Sequence, residues 1–156
     1  MPPPPPGPQP LPAGGPAPMA PMAGASNLAS PGLRLVGGLV DLIILGIVAG
    51  IVGAIFKNNQ GVSSAVGLIL TLAYFGYLLS SRGQSVGMMI FGFHVRDIQT
   101  GQYPTLGKAV LRGFIWYLEV GFTICIVGLI GWLWMFWDPQ KQGWHDKAAG
   151  TIVTTN

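Results

Sequence analysis

The chain has 156 residues, of which 50% are hydrophobic and only 8% are charged, and its mean hydropathy is positive. A soluble domain carries roughly a quarter of charged residues, so this composition predicts an integral membrane protein with one small domain. The net charge of +3 comes from eight Lys and Arg spread singly along the chain. That spacing suits lipid headgroups and argues against a nucleic-acid partner. Cys125 is the only cysteine, so neither an internal disulfide nor a cysteine-based metal site is available.

The N-terminal segment, residues 1–31, contains twelve of the fourteen prolines and no charged residue. Proline fixes φ and removes a backbone donor, so we expect a disordered Pro/Gly/Ala-rich tail with polyproline stretches. The segment also lacks the basic start and the apolar centre of a signal peptide. Because the tail has no charged anchors, a solvated extension is favoured over a docking peptide for a partner.

The first apolar run, about residues 33–56, is long enough to cross a hydrocarbon core of roughly 30 Å at 1.5 Å per residue. It carries Arg34 at its start and Asp41 inside it. Positions seven apart lie on nearly the same face of a helix, so the two charges are expected to share one environment. A structural ion pair is favoured over a transport site for these two residues.

The second apolar run, about residues 62–81, contains no charge and is predicted to be the second span. It is the expected packing partner of the first span, because small residues let two membrane helices approach closely. The predicted contact stripe consists of Gly46, Gly50 and Gly53.

A short strand is predicted after the second span, where Phe91, Phe93 and Val95 alternate with more polar or smaller residues. A second β-branched run, residues 151–154, ends the chain and is the expected partner of this strand outside the bilayer. Such pairing requires the C-terminus to lie on the same side as the strand.

The third apolar region, residues 109–137, would be about 43 Å long as one helix, longer than one span needs and too short for two. It must therefore tilt, break or re-enter, with Gly121, Gly128 and Gly131 as candidate break points. Hydropathy alone favours three spans, whereas the positive-inside rule favours a returning segment that leaves only Lys57 outside. We expect three hydrophobic helical segments, a cytoplasmic N-terminus and a C-terminal side that leans inward.

Further polar residues fall within or near this third region. Arg112 and Glu119 repeat the separation of seven between Arg34 and Asp41. Each carboxylate in lipid needs a cation or a water-filled cavity to stay ionised. Asp146 either belongs to an interfacial turn, or faces the core and meets Arg112 or Arg34.

The sequence offers no pattern of an enzyme or a metal site. His94 and His145 are far apart and lack the spacing of metal ligands. No nucleophile stands beside a base in the pattern. We therefore expect no enzyme activity, no cofactor and no metal.

The combination of Arg34, Asp41 and Asp146 resembles the RDD family of small membrane proteins, named for an arginine and two aspartates. The resemblance covers about residues 32–153, and it departs from the family at Val86 and Met88, where members often have Pro and a basic residue. It implies a multi-pass membrane domain, with cation/proton antiport attributed to some members. The proline-rich tail is similar to that of mycobacterial proline- and glycine-rich membrane proteins, some of which resemble accessory subunits of respiratory assemblies.

The resulting expectation is an all-α integral membrane domain, residues 32–156, with a short β-strand pair and a disordered tail. Its expected role in the plasma membrane is that of a structural or accessory subunit, with the lipid bilayer and other membrane subunits or further copies of itself as partners. The alternative is an oligomeric cation/proton transporter that uses Asp41 and Arg34 on a monovalent cation or a proton. The sequence names neither a substrate nor a partner complex.

Overall fold

Two long helices, α1 (Pro31–Ile55) and α2 (Gln60–Arg82), run antiparallel along the molecule and are joined by a short connection. The computed structural model describes residues 27–155. The predicted runs 33–56 and 62–81 coincide with these two helices to within two residues at each end. Most of the predicted disordered tail, residues 1–26, lies outside the described residues.

Local sequence explains where these helices begin and end. Pro31 opens α1, where its missing amide hydrogen costs nothing. The side chain of Asn59 caps α2 by accepting a hydrogen bond from the Val62 amide at 3.1 Å. Gly83 ends α2 in the left-handed conformation with φ 67°. In the part of the chain that the structure describes, α1 and the stretch Gln60–Phe91 are the helical segments long and apolar enough to cross a membrane.

The predicted strand pair is confirmed. Strand β1 (Phe93–Asp97) pairs antiparallel with β2 (Thr151–Thr155), with Val95 opposite Val153. The C-terminal strand therefore lies at the same end of the bundle as β1. Ala29 adds to this sheet by donating its amide to the Val153 carbonyl at 2.9 Å, so residues ahead of the predicted domain boundary at residue 32 contact the domain.

A short helix that the sequence did not indicate, α3 (Val86–Phe91), lies between α2 and β1. Ser85 caps its first turn, and Gly92 ends it with φ 67°. Because it packs across α1, it brings its N-terminus against the middle of the first span.

The third hydrophobic segment is broken, which is one of the options that the sequence left open for residues 109–137. Helix α4 (Leu106–Gly121) ends at the predicted break point, and the chain turns through a 3₁₀ turn into α5 (Val127–Leu133). Helix α5 returns along α4 so closely that a Cβ on Gly128 would lie 1.9 Å from the Glu119 carbonyl oxygen. Gly128 and Gly131 are therefore points of close contact rather than breaks.

A 3₁₀ turn at Trp134–Phe136 and a polar loop lead from α5 to α6 (Trp144–Ala149), which precedes β2. The buried apolar core joins the sheet to α2 and α4. It contains Ala29, Phe75, Leu79, Phe93, Val95, Ala109, Trp116 and Val153.

Glycines do bring the helices together, but not those of the predicted stripe. A Cβ on Gly113 of α4 would lie 2.8 Å from the Phe75 side chain of α2. By contrast, Gly46 and Gly50 have no atom within 4 Å of such a Cβ, and Gly53 meets only Ser63 at 3.9 Å. The predicted contact with the second span is therefore absent at Gly46 and Gly50 and is made only at Gly53, because α2 makes its closest approach to α4 instead.

An ion pair beside the sheet gives a prediction on pH. Asp97 of β1 lies 2.5 Å from the Lys108 ammonium of α4. Burial alone would raise the pKa of Asp97, but the hydrogen bonds from Lys108 and the Gln99 amide lower it below its usual value. An aspartate in the unfolded chain has a pKa of about 4, so a lower pKa in the folded protein stabilises the fold above about pH 4. This stabilisation is lost as the pH falls through the pKa of the folded state. Acidification from pH 6 to pH 3 should therefore lower the unfolding midpoint less in Asp97→Asn than in the wild type.

The matched control for this prediction is Lys108→Gln, which removes the partner of Asp97. It should likewise reduce the fall of the unfolding midpoint between pH 6 and pH 3. Equal acid sensitivity in all three proteins, measured in one detergent, would contradict the assignment.

Candidate functional site

Asp146 lies at the centre of a buried charged cluster. Its carboxylate is 0% exposed, and one oxygen accepts a hydrogen bond from Arg112 Nε at 2.9 Å and lies 2.7 Å from Arg112 Nη2. The other oxygen accepts from the Arg34 guanidinium and from the Gly143 amide at 3.1 Å. A single carboxylate of α6 therefore ties the start of α1 to α4.

The charges around Asp146 decide its protonation. Burial alone would raise the pKa of Asp146, but the guanidinium groups of Arg112 and Arg34 hold it well below its usual range. The carboxylate therefore stays ionised, since the opposite charges outweigh the loss of water.

Glu119 and His145 extend this cluster along α4. Glu119 Oε2 lies 2.7 Å from His145 Nδ1, and Oε1 accepts the His145 amide at 3.1 Å. His145 Nε2 is 3.5 Å from Asp146. The last turn of α4 is thereby fixed to α6, immediately before the break that ends α4.

Asp41 belongs to a second polar cluster, and it does not pair with Arg34. One of its oxygens accepts from the Tyr74 hydroxyl at 2.7 Å and the Gly87 amide at 2.8 Å, and the other accepts from the Ser85 hydroxyl at 2.5 Å. The expected ion pair is wrong because the Arg34 guanidinium is occupied by Asp146 and by the Lys141 carbonyl.

The sequence contained a signal for the partners of Asp41. Ser85 followed by a short apolar run is typical of a helix N-cap, and a carboxylate is favoured at a helix N-terminus. Asp41 binds at the first turn of α3 in this way, while Tyr74 bridges Asp41 and the Val86 amide. The missed element was α3 itself, which is only six residues long.

The Tyr74 hydroxyl provides a test of this cluster. Tyr74→Phe removes a donor to Asp41 and the acceptor of the Val86 amide, which lies 3.0 Å away. We expect a loss of about 1–3 kcal/mol in the free energy of unfolding, because buried groups lose their partners. Tyr77→Phe is the control, since the Tyr77 ring is exposed and its hydroxyl bonds no described residue. Equal unfolding curves for both variants would contradict the role of Tyr74.

A small cavity of about 30 Å³ separates the two clusters. Arg34, Asp41, Arg112 and His145 line it together with Trp132 and other apolar side chains. Arg34 Nε is buried and has no hydrogen-bond partner among the residues that the structure describes. The space is large enough for one or two water molecules, which would satisfy this donor.

Within residues 27–155, no group of three or more His, Cys, Asp or Glu side chains is placed to hold a metal ion. The five charged or polar residues singled out in the sequence nevertheless lie close together around α4 and α6. Arg34, Arg112, Glu119 and Asp146 share one cluster, and Asp41 adjoins it across the small cavity.

Comparison with known proteins identifies relatives of this chain. The model of the RDD family matches residues 28–150. The chain is 28% identical over 93 residues to a proline-rich antigen homolog of Mycobacterium tuberculosis strain H37Rv, covering 60% of this chain and 37% of the relative. It is 31% identical over 78 residues to the proline-rich antigen of Mycobacterium leprae, covering 50% of this chain and 29% of that protein. An uncharacterised membrane protein of Bacillus subtilis, YteJ, is 30% identical over 91 residues, or 58% of this chain and 51% of the relative. No solved structure matches the chain.

Proposed function

Because the chain belongs to the RDD family and is a membrane protein, we propose that it acts as a structural or accessory subunit of a larger membrane assembly. The observation that carries the proposal is that the buried charges bind one another and the backbone. Asp146 and Asp41 each accept several hydrogen bonds inside the protein. A network satisfied in this way stabilises a bundle and leaves little capacity for a substrate.

The size of the internal space supports the same proposal. The cavity between the two clusters has a volume of about 30 Å³, too small for a cation with its hydration shell. The outer face of α1 instead carries a row of exposed apolar side chains suited to lipid or to the helices of another subunit. This row consists of Ile43, Ile47, Ile51 and Ile55.

We further propose a cytoplasmic N-terminus, two full spans in α1 and α2, and an α4–α5 hairpin that enters and leaves the bilayer on the cytoplasmic side. Helix α4 has 16 residues and α5 only 7, so the hairpin is short for two complete crossings. Lys57 then lies outside, opposite the end of the bundle that carries the sheet, as the positive-inside rule favours. Labelling of an Asn58→Cys thiol in a Cys125→Ser background by an impermeant reagent tests this topology, and protection in intact cells would contradict it.

The accessory role is tested by purification of the tagged full chain in mild detergent, followed by quantitative mass spectrometry. A membrane complex recovered at near-stoichiometric ratio would support it, and respiratory assemblies are the first candidates. A matched pull-down with Ile47→Ser, on the exposed row of α1, should lose that complex while the protein still folds. An isolated chain or homo-oligomer without other subunits would argue against the role.

A second candidate, an oligomeric cation/proton transporter, is favoured by one observation. Asp41, His145 and the Arg34 side chain, whose Nε has no partner among the described residues, all border the same small cavity. Asp41 would alternate between a proton and a monovalent cation there.

This second candidate requires flux through reconstituted vesicles. Addition of sodium or potassium should dissipate a pH gradient, and Asp41→Asn should abolish the response. Tyr77→Phe, on the exposed face of α2, should leave it unchanged. The absence of cation-dependent proton flux in wild-type vesicles would exclude transport of this kind.

A further inference from the structure

A larger cavity, of about 310 Å³, lies between α1 and α2 at the end of the bundle away from the sheet. Trp116, Tyr117 and Val120 of α4 close it on the side of the polar clusters. Its volume falls within the range of small-molecule sites, about 300–1,000 Å³. The cavity is separate from the charged site and shares only Trp116 with the lining of the smaller cavity.

The broken third segment explains why this cavity exists. Helix α4 ends at Gly121, so the turns of α1 and α2 beyond it have no third helix against them. Six of the residues that line the cavity have little or no side chain. These residues are Gly46, Ala49, Gly53, Ser63, Ser64 and Gly67.

Ser63 gives an independent indication of a ligand. The residue is only 8% exposed and lines the cavity, yet its hydroxyl bonds no other residue in the described part of the chain. Thr71 and Ser80 of the same helix instead bond back to a carbonyl four residues earlier, that of Gly67 at 2.9 Å and that of Gly76 at 2.6 Å. A buried hydroxyl left without such a bond is available to a polar group in the cavity.

The cavity has a polar end and an apolar end. Gln60 and Ser63 lie near the α1–α2 connection, where the chain meets an interface in any arrangement that spans the bilayer with both helices. Leu45 and Val120 line the part closer to the middle of the helices. A molecule with one polar end and a chain directed toward the bilayer centre matches this order.

The charge near the polar end narrows the class of ligand. Lys57, three residues before Gln60, is exposed and is the only charged residue between Asp41 and Arg82. We propose that this cavity binds one lipid, with an acyl chain between α1 and α2 and an anionic headgroup at Lys57 and Ser63. The lipid fills the space that a complete third span would occupy, and the site is independent of the role proposed for the charged cluster.

Native mass spectrometry of the full chain tests this site, after release from nanodiscs that contain phosphatidylglycerol and phosphatidylcholine in equal amounts. The wild type should retain one lipid per chain, chiefly phosphatidylglycerol. Gly46→Leu places a side chain in the cavity and should lower retention at least about ten-fold. Gly50→Leu is the matched control, because Gly50 also has no neighbour within 4 Å but does not line the cavity. Its retention should equal that of the wild type.

Two further variants test the polar end. Lys57→Gln should abolish the preference for phosphatidylglycerol while a lipid is still retained, and Ser63→Ala should weaken retention of both lipids. Should Gly46→Leu fail to fold, quenching by a lipid brominated on its acyl chain decides the question, since Trp116→Phe should then lose part of the wild-type quenching.

Three results would overturn the proposal. The first is a wild type that retains no lipid, and the second is equal retention by Gly46→Leu and Gly50→Leu. The third is a wild-type homodimer that Gly46→Leu converts to a monomer, because the occupant would then be a second copy of the chain.

Discussion

Asp146→Asn should lower the free energy of unfolding by about 3–5 kcal/mol, the largest effect expected of any single polar substitution in this protein. The carboxylate is fully buried between Arg34 and Arg112, which are themselves buried. Removal of its charge leaves two buried guanidinium groups without the carboxylate that neutralises them. Unfolding in mixed micelles, followed by tryptophan fluorescence, measures the loss.

The control for this prediction is Asp138→Asn. Asp138 pairs with Lys147, whose side chain is 44% exposed, so the lost attraction is screened by solvent and should be worth about 1 kcal/mol or less. Similar losses in both variants would contradict a special role for Asp146.

A triple variant separates a structural lock from a functional charge. Replacement of Arg34 and Arg112 by Met and of Asp146 by Leu removes the two buried arginines and the carboxylate between them, and leaves the Glu119–His145 pair in place. Because well-packed apolar residues often replace a buried ion network without loss, stability should recover by several kcal/mol relative to Asp146→Asn. If the recovered protein also binds its partner complex, the cluster serves the fold. Loss of partner binding with full stability would contradict a purely structural role.

Gly87→Ala should destabilise the protein by about 3 kcal/mol, through a backbone collision rather than through charge. A Cβ at this position would lie 1.9 Å from the Gly37 carbonyl oxygen and 3.1 Å from Asp41 Cγ. Helix α3 would have to move away from α1, which would stretch the bond from the Gly87 amide to Asp41. Chemical unfolding in micelles reports the change.

Gly46→Ala is the control for the collision. Gly46 has no atom within 4 Å of an added Cβ, and alanine favours a helix by roughly 0.5–1 kcal/mol over glycine. The control should therefore match or exceed the wild type in stability. A destabilised Gly46→Ala, or a neutral Gly87→Ala, would contradict the proposed crossing of α1 and α3.

The elements that sequence could predict are those with a strong local pattern. The length and the apolar composition of two runs predict α1 and α2, and the alternation around Val95 predicts β1. The strand at residues 151–154 was predicted to pair with it, and it does. The break in the third region was one of several options, because a mostly apolar run of 29 residues is compatible with a tilted helix as well as with a returning one.

The sequence predicted which residues form the candidate site, but it did not predict which of them pair. Arg34, Asp41, Arg112, Glu119 and Asp146 were all singled out by charge in an apolar setting. Arg34 has Asp41 seven residues away on its own helix, yet it binds Asp146, 112 positions along the chain. Helical spacing places two residues on one face, but it does not decide which of several carboxylates a long guanidinium side chain reaches.

The sequence by itself determined the membrane character, the two long helices, the strand pair and the family, because each depends on composition, periodicity or a set of residues. Only the tertiary structure decided that Asp146 joins Arg34 to Arg112, that Asp41 binds the start of α3, and that the glycines at 37 and 87 mark a helix crossing. The first of these contacts arises when α5 turns back and delivers α6 to the start of α1, and the other two arise where α3 crosses α1. Their geometry depends on where distant segments of the chain come into contact, and a local sequence pattern does not determine those contacts.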